Sequence, residues 1–411
     1  MTVNDASLPT IDTIRQAAGL LEGEIIRTPA VPVRRLSRAV GAEVFLKLEN
    51  LQVTGSFKVR GAGIKLNSLS DDERARGVVA ASAGNHAQGV AYHAGRLEIA
   101  ATIYMPEGTP FTKVGRTEDL GAKVVLEGID FNAAREAALA HAEATGKIFI
   151  APFDDPHVIA GQGTVALELM EDVPDLDAMI VPIGGGGLMA GCAIAAHALN
   201  PDIDMVGCQT ALYPSMAKAL NGETPTGGGI TIAEGIAVKT PGDITQPIIE
   251  KYVREILVLS EDEIEAAVLN LAEGQRIVAE GAGASGVAAL IANKERFAGK
   301  RVGIIISGGN IDSRLLSNVL LRGLVRGGRM VSLRIGMSDR PGMLSEVSGL
   351  IGGLGGNILE VYHQRLFTDG PIRDTELDVV IETVDAEHVR QIVAALCKAG
   401  FETRVLSNRP D

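Results

Sequence analysis

The chain has 411 residues, with 38 Lys and Arg against 51 Asp and Glu and a formal charge of −13. At about 150 residues per domain it holds roughly two to three domains, with enough core to need no disulfide or metal staple. The acidic balance and the 3% aromatic content, without Trp, exclude binding along a nucleic-acid backbone or stacking on its bases.

Residues 1–12 have neither a basic start nor a long apolar run, so no secretory signal is expected. No apolar stretch reaches the roughly 18 residues of a membrane span. The expectation is a cytoplasmic protein without nucleic-acid or membrane partners. Cys192, Cys208 and Cys397 form no metal-ligand spacing and read as free thiols.

From about residue 40 to 310, short β-branched runs alternate with Ala-rich helical stretches. The runs include 44–48, 78–81, 101–105, 123–126, 179–183, 205–209 and 302–306, and the helical segments include 132–145 and 161–171. This alternation predicts an α/β fold with mainly parallel sheet. Near 325 the texture changes. Arg322, Arg326 and Arg329, with Gly323, Gly327 and Gly328, read as a short flexible junction. Residues 331–336, 357–363, 376–382 and 401–406 then read as strands, and 342–354 and 386–399 as helices. Leu344, Val347, Ile351 and Leu354 are expected on one helical face, and Val389, Ile392, Val393 and Leu396 on another. The sum is β-α-β-β-α-β, a ferredoxin-like unit.

Four segments carry candidate chemistry. Gly184, Gly185, Gly186 and Gly187, with Leu188, follow the run 179–183 and open a helix over 189–199. Backbone N–H groups converging at a helix N-terminus suit a phosphate. No Lys-Ser/Thr follows, so this is no Walker A loop. Gly185-x-Gly187-x-x-Ala190 also fits a weak dinucleotide fingerprint, but Asp204 precedes the next strand rather than ending it. In Thr54–Arg60, Ser56 is expected to N-cap a helix running to about Leu66. Lys58 in its first turn is disfavoured as a cation by the helix dipole, a setting that suits a neutral or Schiff-base lysine. Ser82-Ala83-Gly84-Asn85-His86 sits at another strand-to-helix turn, with donors for a carboxylate, although His86 alone reads as structural. Ser307-Gly308-Gly309-Asn310 follows the run 302–306, at the edge where parallel sheets bind ligands.

These segments occur together, in this order, in one family. The chain resembles the pyridoxal-phosphate enzymes of the tryptophan-synthase-β type, and among them the threonine dehydratases (threonine ammonia-lyases). The matching stretches are 49–62 (ENLQVTGSFKVRGA), 81–90 (ASAGNHAQGV), 159–168 (IAGQGTVALE), 182–191 (PIGGGGLMAG), 280–284 (EGAGA) and 306–312 (ISGGNID), within a likeness over about 10–320. The resemblance implies a two-lobed parallel-sheet catalytic fold over 1–325, PLP fold type II, with a smaller lobe at about 51–155. It implies pyridoxal 5'-phosphate bound through Lys58, with Phe57 against the ring and Asn85 on the ring hydroxyl. Gly184 to Gly187 and Leu188 would hold the phosphate, and Ser307 the pyridine nitrogen. Ser82, Gly84, Asn85 and His86 would seat the substrate carboxylate, with Glu280 near the substrate side chain.

The implied reaction is β-elimination of water from L-threonine, and from L-serine, to a 2-oxo acid and ammonia, in isoleucine biosynthesis or threonine catabolism. Serine racemase and 3-hydroxyaspartate dehydratase are the alternatives on this fold. A racemase carries a Ser, as second acid/base, at the place of Ala83, which cannot transfer a proton. Members that bind a divalent cation place acids just after the strand ending near Gln209. Residues 210–215 (TALYPS) hold none, so no metal is expected there. The last unit, about 330–411, resembles an ACT domain, a regulatory module of allosteric enzymes. By that resemblance Asp339, Arg340, Gly342 and Asn357 would bind an amino-acid effector, and the chain would be a homo-oligomer.

Overall fold

A computed structural model describes residues 8–364 and 374–406 of the chain. The first seven residues of the stretch read for a signal lie outside the described residues. The chain divides into two compact units, Met1–Ile311 and Asp312–Asp411.

In the first unit the strands are β1 (Ala30–Pro32), β2 (Glu43–Leu48), β3 (Val78–Ala81), β4 (Ala101–Met105), β5 (Lys123–Leu126), β6 (Ile148–Phe149), β7 (Ala178–Pro182), β8 (Asp204–Thr210), β9 (Glu255–Leu259) and β10 (Arg301–Ile306). They form a six-stranded sheet ordered β1-β2-β10-β7-β8-β9 and a four-stranded sheet ordered β5-β4-β3-β6. Every pairing is parallel except β1 against β2. The runs expected as strands lie within one residue of β2, β3, β4, β5, β7, β8 and β10. β3 and β7 are buried throughout because helices cover both faces, whereas the edge strand β5 has no fully buried residue. The two expected helical segments are Phe131–Thr145 and Pro156–Asp172. The second starts where its local chemistry directs: Pro156 fills the first turn, and the Asp155 carboxylate accepts from His157 and Val158 N–H. Ile306 of β10 pairs with Leu48 of β2, so both chains leave the sheet at the same edge.

The second unit holds β11 (Met330–Ser338), β12 (Asn357–Gln364), β13 (Asp374–Glu382) and β14 (Glu402–Val405), with helices Met343–Gly353 and Ala386–Lys398. Its antiparallel sheet is ordered β12-β13-β11-β14, the expected ferredoxin-like arrangement. Burial along β11 alternates with period two, since one face covers the core and the other does not. The expected helical face needs correction. Val347 and Ile351 are buried, but Leu344 and Leu354 are exposed, and Met343 and Leu350 pack in their stead. Met343 lies four residues before Val347 and Leu350 beside Ile351 on the same face, while Leu354 falls after the helix ends. On the second face Ile392 and Leu396 are buried and Val389 and Val393 pack beside them.

The expected flexible junction is also corrected. Arg322, Gly323 and Arg326 lie within a helix, Ser313–Arg326, capped by Asp312. Its run of Leu and Arg carries the helix through Gly323, a residue costing only about 1 kcal/mol there. The break is confined to Gly327 and Gly328, the latter at φ 64°. Among the described residues no helix is long and apolar enough to cross a membrane. No cluster of three or more His, Cys, Asp or Glu among them could hold a metal ion. Cys192 and Cys208 are buried free thiols, and Cys397 is an exposed one.

Candidate active site

The candidate residues gather at the carboxyl ends of β2, β3, β7 and β10. Beyond β2 the chain makes a 3-10 turn, Glu49–Leu51, and runs through Thr54–Phe57 into the helix Lys58–Asn67. This segment is laced to the one after β10. Ser56 pairs with Gly308 in an isolated antiparallel bridge, and Phe57 N–H donates to Ser307 O at 3.1 Å. Gly309 N–H donates to Gly55 O at 2.9 Å, and Asn310 Nδ2 to Thr54 O at 2.9 Å. The lacing overturns one expectation: Ser56 is not the N-cap. Its backbone belongs to the bridge, Phe57 takes the cap position without a side-chain bond, and Ser56 Oγ is buried without a partner.

Lys58 opens the helix, as its place in the sequence requires. Its Nζ donates to Pro152 O at 2.7 Å and lies 5.3 Å from the Phe57 ring centroid. Burial lowers its pKa to about 8, against the pull of Glu280, which favours the ammonium.

Beyond β3, Ser82 Oγ accepts from Gly84 N–H at 3.2 Å, and Gly84 precedes the helix Asn85–Arg96. Asn85 stands between two segments, since its Nδ2 donates to Glu280 Oε1 at 2.7 Å and its Oδ1 accepts from Asn310 Nδ2 at 2.6 Å. His86 does not open its ring to this space. The ring is buried, Nε2 donates to Ile150 O at 3.0 Å, and burial, then the Lys58 charge, push its pKa down to about 3. It is a neutral structural imidazole; its backbone N–H remains in the first turn, where intrahelical partners are missing. Glu280 caps the helix Gly281–Ala292. Burial and the nearby Glu234 charge raise its carboxyl to about 7, while Asn85, Lys113 and Lys58 act in the opposite direction.

The glycine turn follows β7. Gly186, at φ 102°, caps the helix Gly187–Leu199 in a left-handed conformation that only glycine adopts without strain. A side chain at Gly185 would strike the Phe153 ring at 2.4 Å. Gly185 O accepts from Thr245 Oγ1 at 2.6 Å, and Asp154 accepts from the N–H groups of Asp243, Ile244 and Thr245. Leu188 is buried behind the turn. Asp204 opens β8 and pairs with Arg296 and Lys300, so it offers no carboxylate to a ribose beside this turn.

Sequence reasoning brought out Lys58, the glycine turn, Asn85, Glu280 and Ser307; the fold sets Lys58, the glycine turn and Ser307 beyond the carboxyl edge of the six-stranded sheet, and Asn85, beyond β3 of the other sheet, is bonded to Glu280 and to Asn310. It missed Pro152, Phe153, Asp154 and Thr245, which brace the turn and the lysine. Nothing local marks them, apart from the helix-start signal at Asp155-Pro156. It also assigned no role to the buried ions Lys47, Glu49 and Arg60 or to the partly buried Glu168.

In the second unit Asp339, Arg340 and Gly342 line a cavity of about 320 Å³, with Met337 and His363. Asn357 does not line it; its Nδ2 donates to Glu382 Oε2 at 3.1 Å.

Comparison with known proteins agrees with this arrangement. Residues 21–308 match the family described as pyridoxal-phosphate dependent enzyme, and residues 331–401 match the ACT domain. An L-threonine ammonia-lyase of Thermotoga maritima is 48% identical over 97% of this chain and 99% of its own length. Among solved structures, maize serine racemase has a TM-score of 0.72 at 33% identity, over 77% of this chain and 98% of that one. Threonine deaminase isoform 2 from Solanum lycopersicum has a TM-score of 0.71 at 34% identity, over 76% of this chain and 95% of that one. The chain belongs to the pyridoxal-phosphate-dependent enzymes, and it carries an ACT domain after the cofactor-binding unit.

Proposed function

We propose that this protein is a threonine ammonia-lyase, eliminating water from L-threonine, and from L-serine, to give 2-oxobutanoate or pyruvate and ammonia. One observation carries the reading: the likeness to the Thermotoga maritima ammonia-lyase runs through both units, not the cofactor-binding unit alone.

The donor set fits the cofactor. The N–H groups of the Gly184–Leu188 turn, at a helix N-terminus, suit a phosphate dianion. The bare glycine cradle leaves no room for side chains between it and Phe153. Phe57 supplies a ring face, Asn85 a partner for the ring hydroxyl, and Ser307 a hydroxyl for the ring nitrogen. When bound, pyridoxal phosphate supplies an electron sink for the bond broken at the substrate Cα.

The remaining work belongs to the chain. Lys58 Nζ holds the cofactor and, once freed, takes the α-proton; its lowered pKa keeps part of the amine unprotonated near neutral pH. Ser307 offers a neutral hydroxyl, so no carboxylate fixes a proton on the ring nitrogen. A moderated sink suits a reaction whose leaving group departs promptly and disfavours transamination. Ser82, Gly84, Asn85 and the backbone of His86 seat the substrate carboxylate. Glu280, half protonated near pH 7, limits the negative charge beside that seat. Ala83 has no proton to deliver to the opposite face of Cα, which favours elimination over racemisation.

The division into a catalytic part, 1–325, and a regulatory part, 330–411, belongs to the same proposal. Isoleucine, valine or threonine is the class of effector, held by Asp339, Arg340 and Gly342 at their cavity; Asn357, which pairs with Glu382 at the other end of the sheet, takes no part in it. Assembly is as a homo-oligomer. The test is 2-oxo acid release from threonine, serine and 3-hydroxyaspartate, each with and without isoleucine, beside D-serine formation from L-serine. Fastest release from threonine is expected. D-serine as the main product, or activity confined to 3-hydroxyaspartate, overturns the reading.

A further inference from the structure

Arg60 lies two residues after Lys58 and is fully buried. Its Nε and Nη2 donate to the two oxygens of Glu49, both at 2.8 Å. Nη1 and Nη2 donate to Glu168 Oε1 and Oε2 at 2.7 and 2.9 Å, and Nη1 donates also to Thr164 Oγ1 at 3.0 Å. Lys47 Nζ completes the set, donating to Glu168 Oε2 and to Thr28 O, each at 2.6 Å. Two cations face two carboxylates, and the cluster carries no net charge.

Such a cluster is a poor stabilising device. Its desolvation offsets most of its attraction, and apolar residues of like volume often serve as well or better. What it does supply is register. The helix Lys58–Asn67 has little grip of its own: no side chain caps it, and it contains Gly61 and Gly63, each costing about 1 kcal/mol relative to Ala. It crosses the helix Pro156–Asp172 at Gly61 and Gly161, so closely that a methyl group on Gly161 would lie 2.6 Å from Gly61 Cα. A glycine crossing permits close approach, and here single contacts hold it, Gln162 Oε1 accepting from Gly61 N–H at 3.2 Å and Lys65 Nζ pairing with Asp155 at 2.6 Å. The planar guanidinium, bonded to carboxylates on two separate elements, resists both sliding and rotation. Pro152, whose carbonyl receives the Lys58 amine, lies four residues before that same crossing helix begins. The amine and its acceptor are thus both referenced to Pro156–Asp172.

Resting on the function proposed above, we infer that Arg60 is a positioning residue for Lys58: by gripping Glu49 and Glu168 it fixes where the lysine amine stands at the reacting centre. Arg60→Lys keeps the charge and loses the fork. In the holoenzyme, kcat is expected to fall roughly 10–100-fold with KM for threonine within about two-fold, because a displacement of about 1 Å costs that much in rate. The pH midpoint of the bound cofactor's visible band moves by about half a unit or more, since the amine's surroundings change. Cofactor uptake by the apoprotein slows in parallel. Ile103→Val, at a buried position in β4, is the control for lost stability alone and keeps the parent's kcat and band midpoint.

If Arg60→Lys loses melting temperature but keeps the parent's kcat and midpoint, Arg60 is structural only and the inference is overturned. Should Arg60→Lys fail to fold, Glu168→Gln, which keeps the acceptor's shape and removes one charge, is read by the same criteria. A parent protein without the visible band overturns the proposed function and the inference together; a parent with the band and unaltered variants overturns the inference alone.

Discussion

Asn85 Nδ2 donates to Glu280 Oε1 across 2.7 Å, and this bond joins the first residue of one helix to the cap of another. Asn310 Nδ2 donates in turn to Asn85 Oδ1, so the orientation of the Asn85 amide is fixed from both ends. A carboxyl raised to about 7 therefore sits within the electrostatic reach of an amine lowered to about 8.

Glu280→Gln keeps the acceptor and removes the charge. Above about pH 7 the native Glu280 is ionised and favours the Lys58 ammonium. Without that charge the lysine pKa falls further. Cofactor uptake by the apoprotein, followed by visible absorbance against pH, should show its midpoint below that of the parent. A midpoint that stays put or rises contradicts the pairing.

Lys58→Ala should remove turnover and the bound cofactor's visible band together. Loss of a general base alone costs roughly 10²–10⁴-fold, and loss of the covalent anchor adds to it. Normal turnover in a variant lacking the band would show that another base takes the α-proton.

Ser307→Asp places a carboxylate where a neutral hydroxyl stands. A carboxylate favours a proton on the ring nitrogen, which strengthens the electron sink and prolongs the carbanion. Elimination should slow, and transamination, measured as the aminated form of the cofactor, should rise. An unchanged ratio of the two products would mean that Ser307 does not reach the ring.

Removing the chain from Arg329 onward should leave an active protein without any effector response. Lys58, Asn85, Glu280, the glycine turn and Ser307 all lie within Met1–Ile311. Coupling between effector and active site is expected at about 1–3 kcal/mol, or roughly 5–150-fold in affinity. Titrating isoleucine or valine into the truncated and full-length proteins measures it. Equal responses in both would place the effector site in the first unit.

How far the sequence carried depended on the range of the forces involved. β3, β4 and β5 were legible to the residue because their β-branched runs end at turn signals. β1 and β6, three and two residues long, have no pattern to read. The Ser56 cap failed because a long-range bridge to Gly308 outweighs a local hydrogen bond. Lys47, Glu49, Arg60 and Glu168 look like surface ions in the chain, and only the crossing of two helices beside β2 makes them one cluster, buried except for the edge of Glu168. His86 read alone as structural, and its ring, buried against Ile150 O, leaves only its backbone for the carboxylate seat that the resemblance implied.

Phe57 and Ser307 are joined through main-chain atoms, as are Ser56 and Gly308. The frame that spaces the lysine from Ser307, the proposed partner of the ring nitrogen, therefore does not depend on which side chain occupies position 307. Evolution, or an engineer, could exchange that one side chain and retune the electronics of the reaction while the lysine keeps its place. Changes of reaction type on this scaffold would then need few substitutions, concentrated on side chains carried by a seam of main-chain bonds.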